Sequence, residues 1–452
     1  MKKNRPLVHF VGIGGIGMSA LARWFLVQKW AVSGSDLSPS IITRSLAKDG
    51  CRVKIGHSAS FISPETELVI YNQAIPKDNP ELLRARKLNI HRVSYPEAIG
   101  ALTENYKTIT VSGAHGKSTT SALASLVLMR GALDPTVIIG TNLREFGNAN
   151  FHKGQKNGFL ILEADEWRAS FLHYLPSIAI ITNIDKEHLD YYKNFSRIKE
   201  AFLRFIARIK KGGALIFNAD DPQIKILERR IRKIARKKNL DLIPYSIRSP
   251  KIPAKKIKSV LKIPGEHNLS NALAAYTLGH MLKISESKIL RALGSYRGAW
   301  RRMEFKGRYN GALVFDDYAH HPTEIEATIK GFKEKFPRKK ILCIFQPHQA
   351  KRLANLFPEF TAAFDEADEC LILPSYEVAG RDKDLKRHNA EELVRVIQKK
   401  NQKKLIFYLK DIQSLKKAIR ILSPSSSPLS NKVIIMMGAG DIFEHTKTIV
   451  DR

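Results

Sequence analysis

Lys117 stands where phosphate chemistry would need a lysine. Thr108–Ser112 reads as a strand and Gly113-Ala114-His115-Gly116-Lys117-Ser118-Thr119-Thr120 as a glycine-rich turn, and an Ala/Leu-rich run beyond it reads as a helix. Strand, turn and helix in that order make a phosphate loop. Backbone N–H groups from Gly113 onward cradle the phosphates, the lysine reaches the β- and γ-phosphates, and the Ser118 hydroxyl binds magnesium. The standard loop has a glycine where this chain has Val111, so the match is to a shorter variant. Two further clusters supply ligands. Glu163, Asp165 and Glu166 close one strand-like run, and Asn183, Asp185, His188 and Asp190 close another. The carboxyl ends of strands are where open α/β sheets collect ligands. Each carboxylate alone reads as a solvated loop residue or a helix cap; two clusters behind one phosphate loop point to a metal-centred ATP site.

A second glycine constellation lies at the N-terminus. Gly12, Gly14 and Gly17 form GxGxxG directly after the apolar run Leu7–Val11, and Asp36 follows a second strand-like run. This is the spacing of a dinucleotide fold, in which glycine lets a phosphate approach backbone amides at a helix end. Taken alone it suggests a nicotinamide enzyme, or a tight turn without a ligand. The same turn holds any nucleotide diphosphate.

The elements that must position these groups alternate along the chain. Apolar β-branched runs at Leu7–Val11, Thr108–Val111, Phe159–Leu162, Ile178–Thr182 and Ala214–Phe217 alternate with helical segments at Gly17–Gln28, Ser118–Arg130, Asn268–Leu282 and Thr323–Lys335. That rhythm predicts an α/β protein of βαβ units with mostly parallel sheets. At 452 residues one core is not enough. A polar break at Thr103–Lys107 and the GAWRR stretch near Ser295–Arg301 divide the chain into three expected domains, 1–104, 105–298 and 299–452. Ser423–Ser430 reads as a surface loop before a last strand, Lys432–Met437.

Bulk properties narrow the class. Hydrophobic residues are 44% and charged residues 26%, as in ordinary globular chains, and no apolar run approaches bilayer length. Lys2, Lys3 and Arg5 precede an apolar stretch in the manner of a secretory signal, but glycines interrupt it. Cys51, Cys343 and Cys370 are far apart in sequence, which argues against a zinc site or a disulfide framework and for a cytoplasmic setting. The formal charge of +32 raises a nucleic-acid partner. Its clusters, Arg229 to Lys238, Lys255 to Lys258 and Lys399 to Lys404, lack interleaved aromatic platforms. They read as a solvated surface that attracts anionic substrates, so no nucleic-acid partner and no membrane insertion are expected. Oligomeric state is not legible.

Taken together the motifs resemble those of the Mur ligase family over essentially the whole chain. HFVGIGGIGMSALA at 9–22, GSD at 34–36, AIPKDNPE at 74–81, GAHGKSTT at 113–120, EADE at 163–166, TNIDKEHLD at 182–190, NADDP at 218–222, GEHNLSNALAA at 265–275, RRMEF at 301–305, DDYAHHPTE at 316–324, QPHQAKR at 346–352 and GAGDI at 438–442 occur in family order. The resemblance implies a Rossmann-like first domain that holds a UDP-sugar, a central P-loop-type ATPase and a Rossmann-like third domain that brings the acceptor and closes over ATP. It implies an ATP- and Mg2+-dependent ligase that joins L-alanine to the carboxylate of UDP-N-acetylmuramate through an acyl-phosphate, in peptidoglycan precursor synthesis.

Residue by residue, the resemblance implies that Gly14, Gly15, Ile16, Gly17 and Ser19 meet the UDP diphosphate, with Asp36 near the uridine. Gly113 to Thr119 would hold ATP, with Lys117, Glu163, His188 and Arg302 as catalytic groups and Ser118, Glu163 and His188 at the metal. Asn268 and Asn271 would face the base, Arg302, Asp317 and His321 or His320 would contact ATP, and His348, Arg352 and Arg381 would lie near the acceptor. The chain departs from the family pattern in two places. A small polar and an acidic residue usually follow EADE, where this chain has Trp167 and Arg168; many relatives have two serines before AIP, where it has Asn72 and Gln73. A ligase that couples the same sugar nucleotide to a recycled tripeptide would share the first two domains. A nicotinamide oxidoreductase would leave GAHGKSTT unexplained, and a nucleic-acid-binding ATPase would rest on the charge alone.

Overall fold

The apolar runs become the strands of three sheets in a computed structural model that describes residues 5–249, 253–376, 388–422 and 429–450, the Asp190 side chain excepted. The first sheet contains β1 (Leu7–Val11), β2 (Ala31–Asp36), β3 (Arg52–Ile55), β4 (Thr66–Tyr71) and β5 (His91–Ser94), all parallel, in the order β3-β2-β1-β4-β5. Strand order reverses between β1 and β4, which opens a crevice at their carboxyl ends.

The second sheet contains β6 (Lys107–Ser112), β7 (Thr136–Leu143), β8 (Ala149–His152), β9 (Phe159–Glu163), β10 (Ile178–Ile181), β11 (Ala214–Asn218) and β12 (Asp241–Tyr245). Their order is β12-β11-β10-β6-β9-β7-β8, and only the β7–β8 pair is antiparallel. Here the reversal lies between β6 and β9. β6, β9 and β10 are buried nearly throughout, as a sheet covered on both faces requires.

The chain forms two compact units: residues up to Val260 with Ser270–Ser295, and Leu261–Leu269 with the chain from Tyr296 onward. The first two sheets lie in the first unit and share one apolar core, in which Phe10 and Phe25 belong to the same cluster as Phe151, Phe171 and Phe202. The polar break expected at Thr103–Lys107 is narrower than its composition suggests, because the helix Tyr95–Asn105 runs into it and β6 starts at Lys107.

The second unit holds β13 (Glu304–Tyr309), β14 (Ala312–Asp317), β15 (Lys340–Phe345), β16 (Glu369–Ile372), β17 (Leu405–Tyr408) and β18 (Lys432–Met437), in the order β13-β14-β18-β15-β16-β17. The β13–β14 hairpin is antiparallel and the other pairs are parallel. Far apart in sequence, Cys343 and Cys370 are register partners on β15 and β16, and both thiols are free and buried.

The helices fall within two residues of the sequence expectation, at Ile16–Val27, Lys117–Arg130, Glu266–Met281 and Pro322–Lys335. Among the described residues no helix is long and apolar enough to cross a membrane. The most basic helix, Pro222–Lys238, buries Ile224, Leu227, Ile231 and Ala235 at helical spacing and turns its cations to solvent, where Arg230 and Arg232 meet Glu200 and Glu228.

Candidate active site

The phosphate loop is built where the sequence puts it. β6 delivers Gly113 with φ +144° and Gly116 with φ +79°, backbone that L side chains rarely adopt. Space is also closed: a Cβ on Gly113 would lie 2.1 Å from Thr182 Oγ1, and one on Gly116 2.3 Å from Asn271 Oδ1. The end of β10 latches the turn. Asn183 Oδ1 accepts from the His115 N–H at 2.8 Å, while Thr182 Oγ1 and Asn183 Nδ2 donate to the His115 carbonyl at 2.7 and 2.9 Å. His115 Nε2 meets Asp185 at 3.0 Å.

Lys117 opens the helix behind the turn and curls back over it. Its ammonium donates to the Gly113 carbonyl at 2.7 Å and to Glu166 Oε2 at 2.9 Å, with Asp165 at 3.9 Å. Burial pulls the Lys117 pKa down, but the carboxylates of Glu166, Asp165 and Glu187 outweigh it and leave it above the ordinary lysine value. Glu166 is itself only 1% exposed, and its backbone carbonyl accepts from Tyr192 Oη at 2.5 Å. The next side chain, Ser118, donates to Glu163 Oε2 at 3.0 Å, while the Gly140 N–H holds the other Glu163 oxygen at 2.7 Å. His188, with φ +55°, lies 3.7 Å from Glu166 and 4.0 Å from Asp165.

The predicted metal residues thus fall into two neighbouring groups. Ser118 and Glu163 sit together at the loop, and His188 is grouped with Asp165 and Glu166, one ligand atom of each within 4.8 Å of the others. A set rich in carboxylate and hydroxyl oxygen suits a hard divalent cation. Asn271 packs on the loop; Asn268, on the same helix, instead donates to the Pro264 carbonyl at 2.6 Å in the second unit.

The N-terminal glycine turn is held differently. The N–H groups of Gly12 and Ile13 both donate to the Ser35 carbonyl at 2.9 Å, and Gly14 N–H donates to Asp36 Oδ2 at 2.8 Å. Asp36 therefore braces the turn, a role its spacing did not suggest. No side chain caps the helix that begins at Ile16. Gly17 is pressed against Tyr95: a Cβ there would lie 2.7 Å from the Tyr95 hydroxyl. Sequence reasoning missed Asn150 on β8, which donates to the Ile16 carbonyl at 2.5 Å and to Ser19 Oγ at 3.0 Å and accepts from Arg23 at 2.7 Å. No motif marks it, because the partners are more than a hundred residues apart.

In the second unit, Asp317 is buried and accepts from the N–H groups of Met303 and Ala319 at 2.8 and 2.9 Å. Burial raises its pKa, with Arg302 opposing. Arg302 reaches Glu324 at 3.7 Å and lies over the Tyr318 ring. Its neighbour Arg301, not singled out by the sequence, is buried and donates to the carbonyls of Gly438 and Gly440. His321 caps the helix Pro322–Lys335, accepting from Thr323 N–H at 3.3 Å. His348 stacks on Tyr376, and Arg352 donates to its carbonyl at 3.3 Å. Arg381 lies outside the described residues.

Residues 7–107 match the Mur ligase family catalytic domain, 111–279 the Mur ligase middle domain, and 301–440 the Mur ligase glutamate ligase domain. The UDP-N-acetylmuramate–L-alanine ligase of Clostridium kluyveri is 40% identical, over 98% of this chain and 97% of its own. That of Clostridium acetobutylicum is 38% identical over 97% and 96%. Among solved structures, the UDP-N-acetylmuramate–alanine ligase of Thermotoga maritima superposes with a TM-score of 0.77 at 28% identity, covering 98% of this chain and 97% of that one. A murein peptide ligase from Psychrobacter arcticus shares the fold, with a TM-score of 0.70 at 22% identity over 99% and 100%. With its glycine turns, its acidic strand ends and its full length thus matched, the chain belongs to the Mur ligase family.

Proposed function

We propose that the protein is an ATP-dependent carboxylate–amine ligase that joins L-alanine to the lactyl carboxylate of UDP-N-acetylmuramate, releasing ADP and phosphate. The observation that carries the ATP half is the Lys117 clamp: a loop-borne ammonium held between the Gly113 carbonyl and Glu166, beside the Ser118–Glu163 pair. Near-full-length likeness to ligases named for this sugar nucleotide and L-alanine carries the substrate half.

The chemistry follows from the charges. A carboxylate is a poor electrophile, so its oxygen takes the γ-phosphoryl group of ATP and ADP leaves. The amine of alanine then attacks the carbonyl carbon, loses a proton, and phosphate departs. Lys117 offsets repulsion between the two anions in the first step, exchanging part of its hold on Glu166 for phosphate oxygen. The loop amides and the Ser118 hydroxyl orient the phosphates. We place Mg2+ on Ser118 and Glu163, with His188, Asp165 and Glu166 beside them; bound there it would neutralise phosphate charge and draw electron density from the transferring group. The first glycine turn binds the UDP diphosphate through the amides at the start of the helix Ile16–Val27. Arg302 and His321 we assign to ATP, and His348 and Arg352 to the amino acid.

The test is phosphate release from ATP in the presence of Mg2+ and UDP-N-acetylmuramate, with and without L-alanine. Release that needs both substrates is expected. Release only when a tripeptide replaces alanine would make the chain a recycling ligase, and release indifferent to both would remove the substrate half.

A further inference from the structure

The two places where the sequence departs from the family pattern touch one another. Gln73 lies just beyond the carboxyl end of β4, on the far side of the first sheet's crevice from the glycine turn, and Arg168 lies just beyond the end of β9, beside the phosphate loop. Arg168 Nη1 donates to the Gln73 carbonyl at 2.6 Å, and Ser170 Oγ to Gln73 Oε1 at 2.9 Å. The segment between them is continuous with the ATP site: Trp167 N–H donates to Asp165, which stands 3.9 Å from the Lys117 ammonium. Asn72, next to Gln73, packs against the turn, its amide nitrogen 3.1 Å from where a Gly15 Cβ would be. Residues 165–170 thus join the ligand crevices of two sheets.

The backbone is distorted for this. Arg168 and Ala169 take φ +50° and +58°, two successive left-handed residues without a glycine, at a cost of about 1–2 kcal/mol each. An exposed hydrogen bond to one carbonyl contributes too little to explain that. What the distortion achieves is a fixed cation: the guanidinium lies 4.8 Å over the Trp167 ring, and only one of its five N–H groups has a partner among the described residues.

Glu163, Asp165 and Glu166 stand beside Lys117 and Ser118 and would repel a carboxylate brought to them. Lys117 is engaged by Glu166 and the loop before ATP and metal arrive, and Arg168 is a further cation at this approach. We propose that Arg168 binds the lactyl carboxylate of the sugar nucleotide and holds it at the entrance to the phosphate loop; this rests on the function proposed above.

Binding of UDP-N-acetylmuramate and of UDP-N-acetylglucosamine, which lacks the lactyl carboxylate, is measured by calorimetry without ATP or metal for the natural protein, Arg168→Ala and Arg168→Lys. Arg168→Ala should weaken the muramate ligand about tenfold or more and leave the glucosamine ligand unchanged, with Arg168→Lys in between. Equal loss of both ligands, or no loss of either, overturns the proposal; the former would make Arg168 a tie between domains. Natural protein that neither binds UDP-N-acetylmuramate nor releases phosphate with it removes the parent reading, and this one with it.

Discussion

The two glycine turns proposed to bind phosphates are built on opposite electrostatic plans. At the end of β1 the turn carries no charged side chain, and its bracing comes from the Ser35 carbonyl, Asp36 and Asn150. At the end of β6 the turn carries Lys117, and carboxylates crowd it on one side. The first is suited to holding a diphosphate that does not react, since backbone amides and a helix end bind an anion without moving. The second must follow a phosphoryl group whose charge shifts during transfer, which takes a mobile cation with a resting partner. In the proposed mechanism Glu166, 2.9 Å from the Lys117 ammonium, is that partner.

The sharpest way to break the contrast is Lys117→Ala. If the charge of the second turn drives transfer, phosphate release should fall by about a thousandfold or more, while binding of UDP-N-acetylmuramate measured without ATP stays within about twofold of the natural protein. Comparable loss of sugar-nucleotide binding would mean that the turns are not independent.

Next in size are matched alanines. In Gly116→Ala the new methyl meets Asn271 at 2.3 Å in backbone with φ +79°, and in Gly17→Ala it meets the Tyr95 hydroxyl at 2.7 Å. Each should raise one KM by about ten- to a hundredfold, ATP for the first and the sugar nucleotide for the second. Crossed effects, with Gly17→Ala acting on ATP, would show that the shared core of the first unit transmits strain from one turn to the other.

Both turns were legible because each is a local pattern: glycines at fixed offsets between an apolar strand and a helix. The long-range ties beside them were not. Asn150 reaches Ile16 across 134 positions and Arg168 reaches Gln73 across 95, and nothing in either local stretch specifies the partner. Asp36 has a role that its spacing did not announce, since its carboxylate accepts from Gly14 N–H and braces the turn. Asn268 and Asn271 share a motif and, three residues apart, neighbouring positions on one helix face, yet Asn271 packs on the loop while the Asn268 amide is spent on the Pro264 carbonyl, a difference the motif does not announce. Cys343 and Cys370 were separated by sequence distance and adjoined by sheet register.

The smallest effect concerns what lies beneath the first turn. Glu81 is fully buried there, accepting from Ser35 Oγ at 2.8 Å and meeting His9 at 2.7 Å and His57 at 2.6 Å. Burial alone would lift its pKa; the hydrogen bonds from His9, Ser35 and His57 outweigh burial and leave it below the ordinary 4.5. A carboxyl depressed in the folded state contributes stability that is complete above the unfolded value and lost as pH falls through the folded one. Glu81→Gln should therefore cost about 1–3 kcal/mol in urea unfolding at pH 7, and the gap to the natural protein should start to narrow as pH falls below about 4.5, where the unfolded carboxyl protonates, and finish narrowing once pH has passed the depressed folded value. Because Ser35 presents its carbonyl to Gly12 and Ile13, the same variant should raise the KM for the sugar nucleotide by a few fold and leave that for ATP alone. A stability gap that stays constant into acid would mean that Glu81 titrates alike folded and unfolded, and one that widens as pH falls from 7 would mean that burial outweighs its hydrogen bonds and the first turn rests on a neutral carboxyl.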